Sequence, residues 1–308
     1  MGDQEVIKCI NDNLNGKQSE VLNLSHREIA ILPSDIQKLG HLKRLLLNDN
    51  KLLMPPQELV NLSNLEELTL DSNQLTMLPS GIGQLHLLSY LSASHNPLGV
   101  IPSEIGDLHN LKQLWLSDTQ LVSLPQEIGL LKHLEKLGLR NNELSFLPDE
   151  ISHLHTLQWL TLADNRLQDL PKPFGKLNNL VYLNMDGNIF ESIPLCLTDL
   201  DSLISLSMRN NKIKDLDDDM ILGLSRLTKL DLRENALVDR PEHWKGLDYI
   251  LIGDIALDSS ISSTTSLSLQ ELSQLHNGLD TDSESASDTE DLTENEGQNN
   301  GDVAEHGN

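Results

Sequence analysis

The chain is poor in aromatic residues. Phe, Trp and Tyr make up 3% of its 308 residues, whereas hydrophobic residues as a whole make up 38%. This composition does not suit a globular core built around large rings. It suits a core of stacked leucines, to which each structural unit contributes the same few aliphatic side chains.

Cysteines and long apolar runs are also scarce. Only two cysteines, Cys9 and Cys196, are present, so the disulfide-rich caps of many extracellular repeat proteins are not expected. The sequence shows no apolar signal segment and no run of about 18 apolar residues that could span a bilayer. We therefore expect a cytoplasmic protein. Peripheral association with the inner face of the plasma membrane, or a nuclear location, stays open.

Basic residues are missing from the last fifth of the chain. No Lys or Arg follows Lys245, while 14 Asp and Glu residues lie between Asp248 and Glu305. Residues 1–245 carry 22 basic and 33 acidic residues, a net charge of −11. The remaining −14 of the total charge of −25 lies after Lys245. Nucleic-acid binders carry a basic patch, so this balance predicts no nucleic-acid partner.

A 23-residue pattern recurs along most of the sequence. Copies begin with leucines at positions 65, 88, 111, 134, 157, 180 and 203. One copy reads Leu65, Leu68, Leu70, Asn73, Leu75, Leu78, Pro79, Ile82, Leu85. This period, with this spacing of Leu and Asn, is the leucine-rich repeat signature. About ten repeats fit between Leu22 and Leu247.

Each repeat predicts one short strand and one outer segment. Alternating strand leucines point inward, and the following Asn turns inward to bind backbone groups that would otherwise be buried without partners. The Leu-Pro half returns along the outside as a turn or short helix. Because the outer segments need more room than the strands, the stack curves. We predict an α/β leucine-rich repeat solenoid, a curved horseshoe with a parallel sheet on its concave side.

Three regions are expected along the chain. Residues 1–18 carry apolar residues at helical spacing, including Val6 and Ile10, and predict an amphipathic helix that caps the first repeat. Residues 19–250 form the repeat domain. Residues 251–308 are Ser/Thr-rich and then acidic, with few apolar residues near the end, and predict a mostly disordered tail.

No pattern of residues predicts catalysis, a metal or a cofactor. The acidic run 215–219 resembles the start of a calcium loop, but Met220 and Arg226 stand where Gly and Glu are required. We interpret this run as a solvated loop. Phosphate-binding loops and nucleophile elbows are absent from the sequence. A non-enzymatic protein without metal or cofactor is expected.

The residues that alternate with the strand leucines predict the binding surface. They face the concave groove, and four of the nine aromatic residues fall among them. Aromatic residues and Arg dominate protein-binding sites. The predicted partner-binding residues are Arg44, Glu67, Asp71, Tyr90, Trp115, Lys136, Arg140, Trp159, Tyr182, Arg209, Lys229 and Arg233. The alternative is that the aromatic residues only fill strands, for which they have high propensity.

Charge is distributed unevenly along this predicted groove. Glu67 and Asp71 make its N-terminal side acidic. The C-terminal side is predicted to be basic through Lys136, Arg140, Arg209, Lys229 and Arg233. A protein partner would lie across the central Trp residues and be oriented by the charges at either end.

The repeats resemble a family of intracellular scaffold proteins. Residues 124–137, Leu-Pro-Gln-Glu-Ile-Gly-Leu-Leu-Lys-His-Leu-Glu-Lys-Leu, are similar to the repeats of Scribble, erbin, the Ras suppressor and the Ras–Raf scaffold proteins. The resemblance covers about residues 19–250. It implies a signalling adaptor that binds a Ras-type GTPase or a phosphatase complex. We expect the chain to be a monomer. The chain differs in lacking a PDZ domain and a basic-Val-x-Phe phosphatase-docking motif.

The acidic tail predicts an alternative function. Thr281, Ser285, Ser287 and Thr293 each precede an acidic residue by three positions, the pattern of an acidophilic kinase. Each phosphate would add roughly −1.5 to −2 charges. The chain would then be a phosphatase inhibitor or a binder of histones and other basic proteins. A third interpretation is that the tail only keeps the protein soluble.

Overall fold

The structure is a computed structural model that describes residues 3–16, 19–237 and 241–253. Two α-helices lie within these residues, α1 (Asp3–Asn15) and α2 (Asp218–Gly223). The strands are β1 (Val21–Asn23), β2 (Arg44–Leu46), β3 (Glu67–Thr69), β4 (Tyr90–Ser92), β5 (Gln113–Trp115), β6 (Lys136–Gly138), β7 (Trp159–Thr161), β8 (Tyr182–Asn184), β9 (Ser205–Ser207), β10 (Lys229–Asp231) and β11 (Ile250–Leu251). Across the described ranges, no helix combines the length and the apolar character needed to cross a bilayer.

The strands form one open parallel sheet in which sequence order equals spatial order. The register repeats from pair to pair: Leu45 lies beside Leu68, and Leu68 beside Leu91. These central leucines are fully buried. The predicted leucine-rich repeat solenoid with a parallel sheet is therefore confirmed.

The inward asparagines close each repeat as the sequence predicts. Asn73 Nδ2 donates to the carbonyl oxygens of Leu47 at 2.9 Å, Leu70 at 2.9 Å and Asp71 at 3.1 Å. Its Oδ1 accepts from Leu52 N at 3.1 Å. One side chain thus satisfies backbone groups of its own repeat and of the preceding one.

Thr119 replaces the asparagine once and takes over part of these contacts. Its hydroxyl donates to the carbonyl oxygen of Leu116 at 2.8 Å and lies 2.9 Å from Asn142 Oδ1. A threonine is too short to accept from the preceding repeat, so Leu98 N bonds instead to the carbonyl oxygen of Asn96, at 2.8 Å. The fold adjusts at this repeat through a local backbone turn.

On the outside, the chain returns through 3₁₀ helices, most of which follow a proline. Their bounds are Ser34–Lys38, Gln57–Asn61, Ile82–Gln84, Ser103–Asp107, Gln126–Leu130, Asp149–His153, Lys172–Lys176, Leu195–Asp199 and Glu242–Trp244. The prolines that precede the helices between Ser34 and Asp199 have an extended backbone, for example Pro125 at φ −70° and ψ 152°. A proline with this conformation is well suited to the position just before the first turn of a helix.

The two α-helices lie towards opposite ends of the repeat region. On α1, Val6 and Ile10 are buried in the same core cluster as Leu22 and Leu24, so the helix packs on the first repeat. The interpretation of residues 215–219 as a solvated loop holds for 215–217, which are non-helical, and is wrong for the last two residues, because α2 begins at Asp218. Asp217 Oδ1 accepts from Met220 N at 2.7 Å and caps the new helix.

Candidate protein-binding surface

The predicted binding residues lie in three parallel rows on the concave side of the sheet. The first row consists of the first residue of each strand, the second row of the third residue, and the third row of the residue two positions further on. The first row holds Arg44, Glu67, Tyr90, Lys136, Trp159, Tyr182 and Lys229. Trp115 lies in the second row, and Asp71, Arg140, Arg209 and Arg233 lie in the third.

Three aromatic side chains contact one another at the centre of this surface, and we call them the aromatic ladder. The ring centroids of Trp115 and Trp159 lie 5.2 Å apart with the planes inclined by 50°. Trp159 and Tyr182 stack at 5.5 Å with an interplanar angle of 6°. All three side chains are half-buried, so each ring leaves part of its surface open to a ligand.

The ladder depends on a glycine in the strand between the two tryptophans. Trp115 belongs to β5 and Trp159 to β7, with β6 between them. Gly138 of β6 lies beside Trp115 in the sheet, and an added Cβ there would clash with the Trp115 ring, whose Cζ3 would lie at 3.0 Å. The missing side chain lets the indole extend across β6 and reach Trp159.

Tyr90 lies apart from this cluster in the first row. Its neighbours across the sheet are Glu67 on one side and Gln113 on the other. Gln113 and Lys136 separate it from Trp159. The structure therefore brings three of the four predicted aromatic residues into one cluster.

Small hydroxyl side chains form the floor beside the ladder. Those that are buried on the concave side are Thr69, Ser92, Ser94, Ser117, Thr161, Ser205 and Ser207. Because these side chains are short, a partner's backbone could approach the sheet closely along them. Sequence reasoning placed them on this face and did not single them out as site residues.

On the N-terminal side, the two predicted acidic residues are held by specific partners. Arg44 binds Glu67 through two contacts, Nε to Oε2 at 2.5 Å and Nη2 to Oε1 at 3.2 Å. The hydrogen bond and charge of Glu67 raise the pKa of Arg44. Asp71 Oδ1 accepts from Ser92 Oγ and, at 2.8 Å, from Ser94 N.

On the C-terminal side, most predicted basic residues are paired with carboxylates. The pairs are Arg140 with Asp164 at 3.1 Å, Arg209 with Glu234 at 3.0 Å, and Arg233 and Lys229 with Asp231 at 2.6 and 3.7 Å. Asp164 and Glu234 lie outside the three rows and were missed for that reason. The positive charge of this side is largely balanced by these acids.

Lys136 is the exception to this pairing. Within the described part of the chain it forms no ion pair, and it lies directly beside Trp159 in the first row. A lysine without a paired carboxylate, next to half-buried aromatic rings, favours a partner segment that carries a carboxylate near an apolar side chain.

The pKa values of two aspartates on the concave side, half-buried Asp186 and buried Asp231, are shifted in opposite directions. Burial raises the pKa of Asp186, and nearby Asp231 adds to this rise against the hydrogen bonds from Ser207 and Arg209. Burial also opposes ionisation of Asp231, but the hydrogen bonds and charge of Arg233, with the charge of Lys229, outweigh it and lower the pKa of Asp231. Asp231 is thus a firmly ionised anchor for two basic side chains.

The described residues offer little for catalysis or metal binding. Among them, no group of three His, Cys, Asp or Glu side chains could hold a metal ion. Burial, followed by the charges of Asp169 and Asp199, raises the pKa of the Cys196 thiol to about 11, so this thiol is protonated and unreactive at neutral pH. The phosphorylation candidates Thr281, Ser285, Ser287 and Thr293, and the rest of the acidic tail, lie outside the described residues.

Comparison with solved structures gives several similar chains, two of them named as leucine-rich repeat proteins. A Leptospira interrogans LRR protein, LIC12759, shares 32% identity with a TM-score of 0.70 over 75% of this chain and 65% of its own. The ectodomain of the Arabidopsis thaliana receptor kinase GASSHO1/SCHENGEN3, solved with CASPARIAN STRIP INTEGRITY FACTOR 2, shares 32% identity with a TM-score of 0.65 over 76% and 29%. TLR13, solved with ssRNA13, shares 25% identity with a TM-score of 0.65 over 76% and 35%.

The chain spans less than two thirds of each of these proteins. No curated protein matches it significantly. Family models do match: the Leucine-rich repeat region model covers residues 127–277, and the Leucine Rich Repeat model covers residues 64–85 and 87–108. With the repeating sheet and asparagine contacts described above, these matches show that the chain belongs to the leucine-rich repeat family.

Proposed function

We propose that this protein is a non-enzymatic adaptor that binds a partner protein across the aromatic ladder on its concave face. The observation that carries the proposal is the contact of Trp115 with Trp159 and of Trp159 with Tyr182, at 5.2 and 5.5 Å, in the middle of the sheet. Packed, half-exposed aromatic rings in the centre of a surface are typical binding hot spots.

The family supports a binding function. Leucine-rich repeat proteins generally mediate protein–protein interactions, and their fold is typically a non-catalytic scaffold. One structural neighbour is solved with CASPARIAN STRIP INTEGRITY FACTOR 2 and another with ssRNA13. The net charge of −25 favours a protein partner over a nucleic acid for this chain.

The finer identity of the partner rests on the resemblance of the repeats to those of intracellular scaffold proteins. By that resemblance, we propose a cytoplasmic signalling adaptor whose partner is a Ras-type GTPase or a phosphatase complex. Peripheral association with the inner face of the plasma membrane fits the same proposal. Lys136, the unpaired cation beside Trp159, would then contact a carboxylate of the partner.

An affinity purification from cell lysate, followed by mass spectrometry, tests the concave site. The wild type is compared with a Trp115→Ala/Trp159→Ala double variant and with Leu222→Ala, a control that alters an exposed leucine away from the sheet. Thermal melting of each variant verifies folding. The proposal predicts partners that are lost with the double variant and retained with the control. Retention of all partners by a folded double variant would show that another surface binds them.

The alternative function rests on the acidic C-terminal region, with 14 Asp and Glu residues and no Lys or Arg after Lys245. Such a segment would suit a phosphatase inhibitor or a binder of histones and other basic proteins. It predicts that partner binding depends on residues 258–308 and not on the aromatic ladder.

A further inference from the structure

A second surface of the solenoid carries exposed apolar side chains in register. It lies on the flank of each repeat, between the inward asparagine and the outer 3₁₀ helix. The residues of this flank column are Ile31, Met54, Met77, Val100 and Phe146, with exposed fractions of 77, 68, 49, 56 and 57%. They recur every 23 residues except at position 123, where the sequence has Ser. Exposed apolar residues that line up in this way indicate a binding surface.

Backbone hydrogen bonds hold successive repeats together along this flank. Lys51 N donates to the carbonyl oxygen of Ile29 at 2.8 Å. Val122 N donates to that of Gly99 at 3.2 Å, and the Val122 side chain, next in sequence to the interruption at position 123, is also exposed. With neighbouring repeats about 5 Å apart, the column from Ile31 to Phe146 is about 25 Å long.

An acidic column runs beside the apolar one. It consists of the residues four positions further along the chain, at the start of the 3₁₀ helices, and Gly81 interrupts it once. Its members are Asp35, Glu58, Glu104, Glu127 and Glu150. Asp35 is bound by Lys38 of the same helix, at 2.5 Å. The other four form no ion pair among the residues that the structure describes.

The two columns end at the same repeat, although the repeats themselves continue. At the next flank positions the sequence has Asp169, Ser192 and Asp215, and the acidic positions become Pro173 and Cys196. The core leucines of these later repeats remain buried. Folding therefore does not require apolar residues at the flank positions. The fact that both columns extend over the same six repeats has another cause.

We infer that this flank docks a basic amphipathic helix of a partner protein. The apolar side of that helix would cover the flank column, and its Lys and Arg residues would face the acidic column. A length of about 25 Å corresponds to about 17 helical residues. The charge complementarity identifies the occupant, because an apolar strip bordered by carboxylates selects cations on one edge of the ligand.

Neither the C-terminal region of the given sequence nor helix α1 has the charge of such a helix. Its C-terminal region has no Lys or Arg after Lys245 and would be repelled by the acidic column. Helix α1 of a second copy has a single Lys among three acidic residues, and its apolar side already packs in the core.

The C-terminal end of the flank column has a feature suited to a cation. Phe146, Asp149 and Asp169 line one open groove between two repeats. A Lys or Arg side chain of the docked helix could lie against the Phe146 ring with its charge near the two carboxylates.

Fluorescence anisotropy with the full-length protein tests the inference. The probe is a labelled 18-residue helical peptide with one row of Leu and one adjacent row of Lys. A scrambled peptide of the same composition and a version with Glu in place of Lys serve as ligand controls. We expect the Leu/Lys peptide to bind and both controls to bind at least about tenfold more weakly, with affinity falling as salt rises.

Variants of the protein locate the binding. Met54→Ser/Phe146→Ser and, separately, Glu104→Gln/Glu127→Gln are expected to weaken binding about tenfold, whereas Leu222→Ser and Trp159→Ala leave it unchanged. Equal binding of the scrambled peptide, or unchanged binding by the flank variants, would overturn the inference. So would flank-dependent binding of phosphatidylcholine vesicles, or self-association that Met54→Ser abolishes, since each assigns the surface to a different occupant.

Discussion

At the scale of single residues, the inward asparagines link neighbouring repeats. Asn142 donates from Nδ2 to the carbonyl oxygens of Leu116, Leu139 and Arg140, and its Oδ1 accepts from the backbone N–H groups of Thr119 and Leu121. The sequence predicts that the asparagine bonds to the backbone, without naming the individual partners. The reason is that a buried turn after each strand leaves backbone groups that only a side chain can satisfy.

Replacing this asparagine should cost much of the stability of its repeat. For Asn142→Ala we expect a loss of about 3 kcal/mol or more in the free energy of unfolding, since several buried backbone groups lose their partners together. Asn179→Ala is the matched control, because exposed Asn179 makes one described side-chain hydrogen bond, to the His155 carbonyl oxygen. It should cost less than about 1 kcal/mol. Equal effects in urea unfolding would contradict this account.

Asp186 and Asp231 on the concave side predict opposite effects of pH on stability. The native pKa of Asp231 is lowered, so its ionised form stabilises the fold above the unfolded pKa, and this contribution is lost as pH falls through the native pKa. The native pKa of Asp186 is raised, so ionisation of Asp186 removes stability as pH rises from the unfolded pKa through the native one.

Substitution by Asn tests both signs in melting curves between pH 3 and 7. Asp231→Asn should destabilise the protein by about 2 kcal/mol at pH 7, because Arg233 loses its charged partner, and this deficit should shrink towards pH 3. Asp186→Asn should gain in melting temperature relative to wild type as pH rises. Parallel curves for either variant and the wild type would refute the assigned pKa direction.

At the scale of elements, Gly138 of β6 permits the aromatic ladder. Gly138→Ala would place a Cβ against the Trp115 ring and displace it. We expect a loss of about 1 to 3 kcal/mol in stability, as in other overpacked sites, together with weaker partner binding and a changed near-ultraviolet circular dichroism. Gly40→Ala is the control, since a Cβ at Gly40 meets nothing within 4 Å. An unchanged aromatic spectrum in Gly138→Ala would contradict the described ladder.

Sequence reasoning could place Trp115 and Trp159 on the concave face, because strand alternation determines which residues face the groove. It could not show that they touch, because they lie in different rows and two strands apart. Their contact depends on the direction in which the Trp115 ring lies across Gly138. The carboxylate partners of Arg140 and Arg209 were missed for a similar reason, since Asp164 and Glu234 follow the strands at positions outside the rows.

At the scale of the whole molecule, the 23-residue period predicts the fold because each repeat stacks in register on the one before. The same stacking turns any residue that recurs at this period into a column on the surface. The concave rows are columns of this kind, and strand alternation predicts them. The flank column with its acidic neighbours is equally periodic, and its exposure is evident only once the outer 3₁₀ helices are in place.

The adaptor proposal and its alternative differ in their dependence on the acidic C-terminal region. Deletion of residues 258–308 should leave partner binding through the concave face within about twofold of wild type, because the aromatic ladder lies in residues 115–182. Quantitative co-purification of the same partners with both forms checks this. Loss of the partners on deletion would favour the basic-protein binder.

Site-specific photo-crosslinking in cells tests the central claim, that the concave face binds the partner, most directly. A benzoylphenylalanine is placed at Gln113, beside Lys136 in the first row, and separately at exposed Leu222 as control. The account predicts a cross-linked partner protein from position 113 and not from position 222. Cross-links from position 222 alone would contradict it and place the partner outside the concave face.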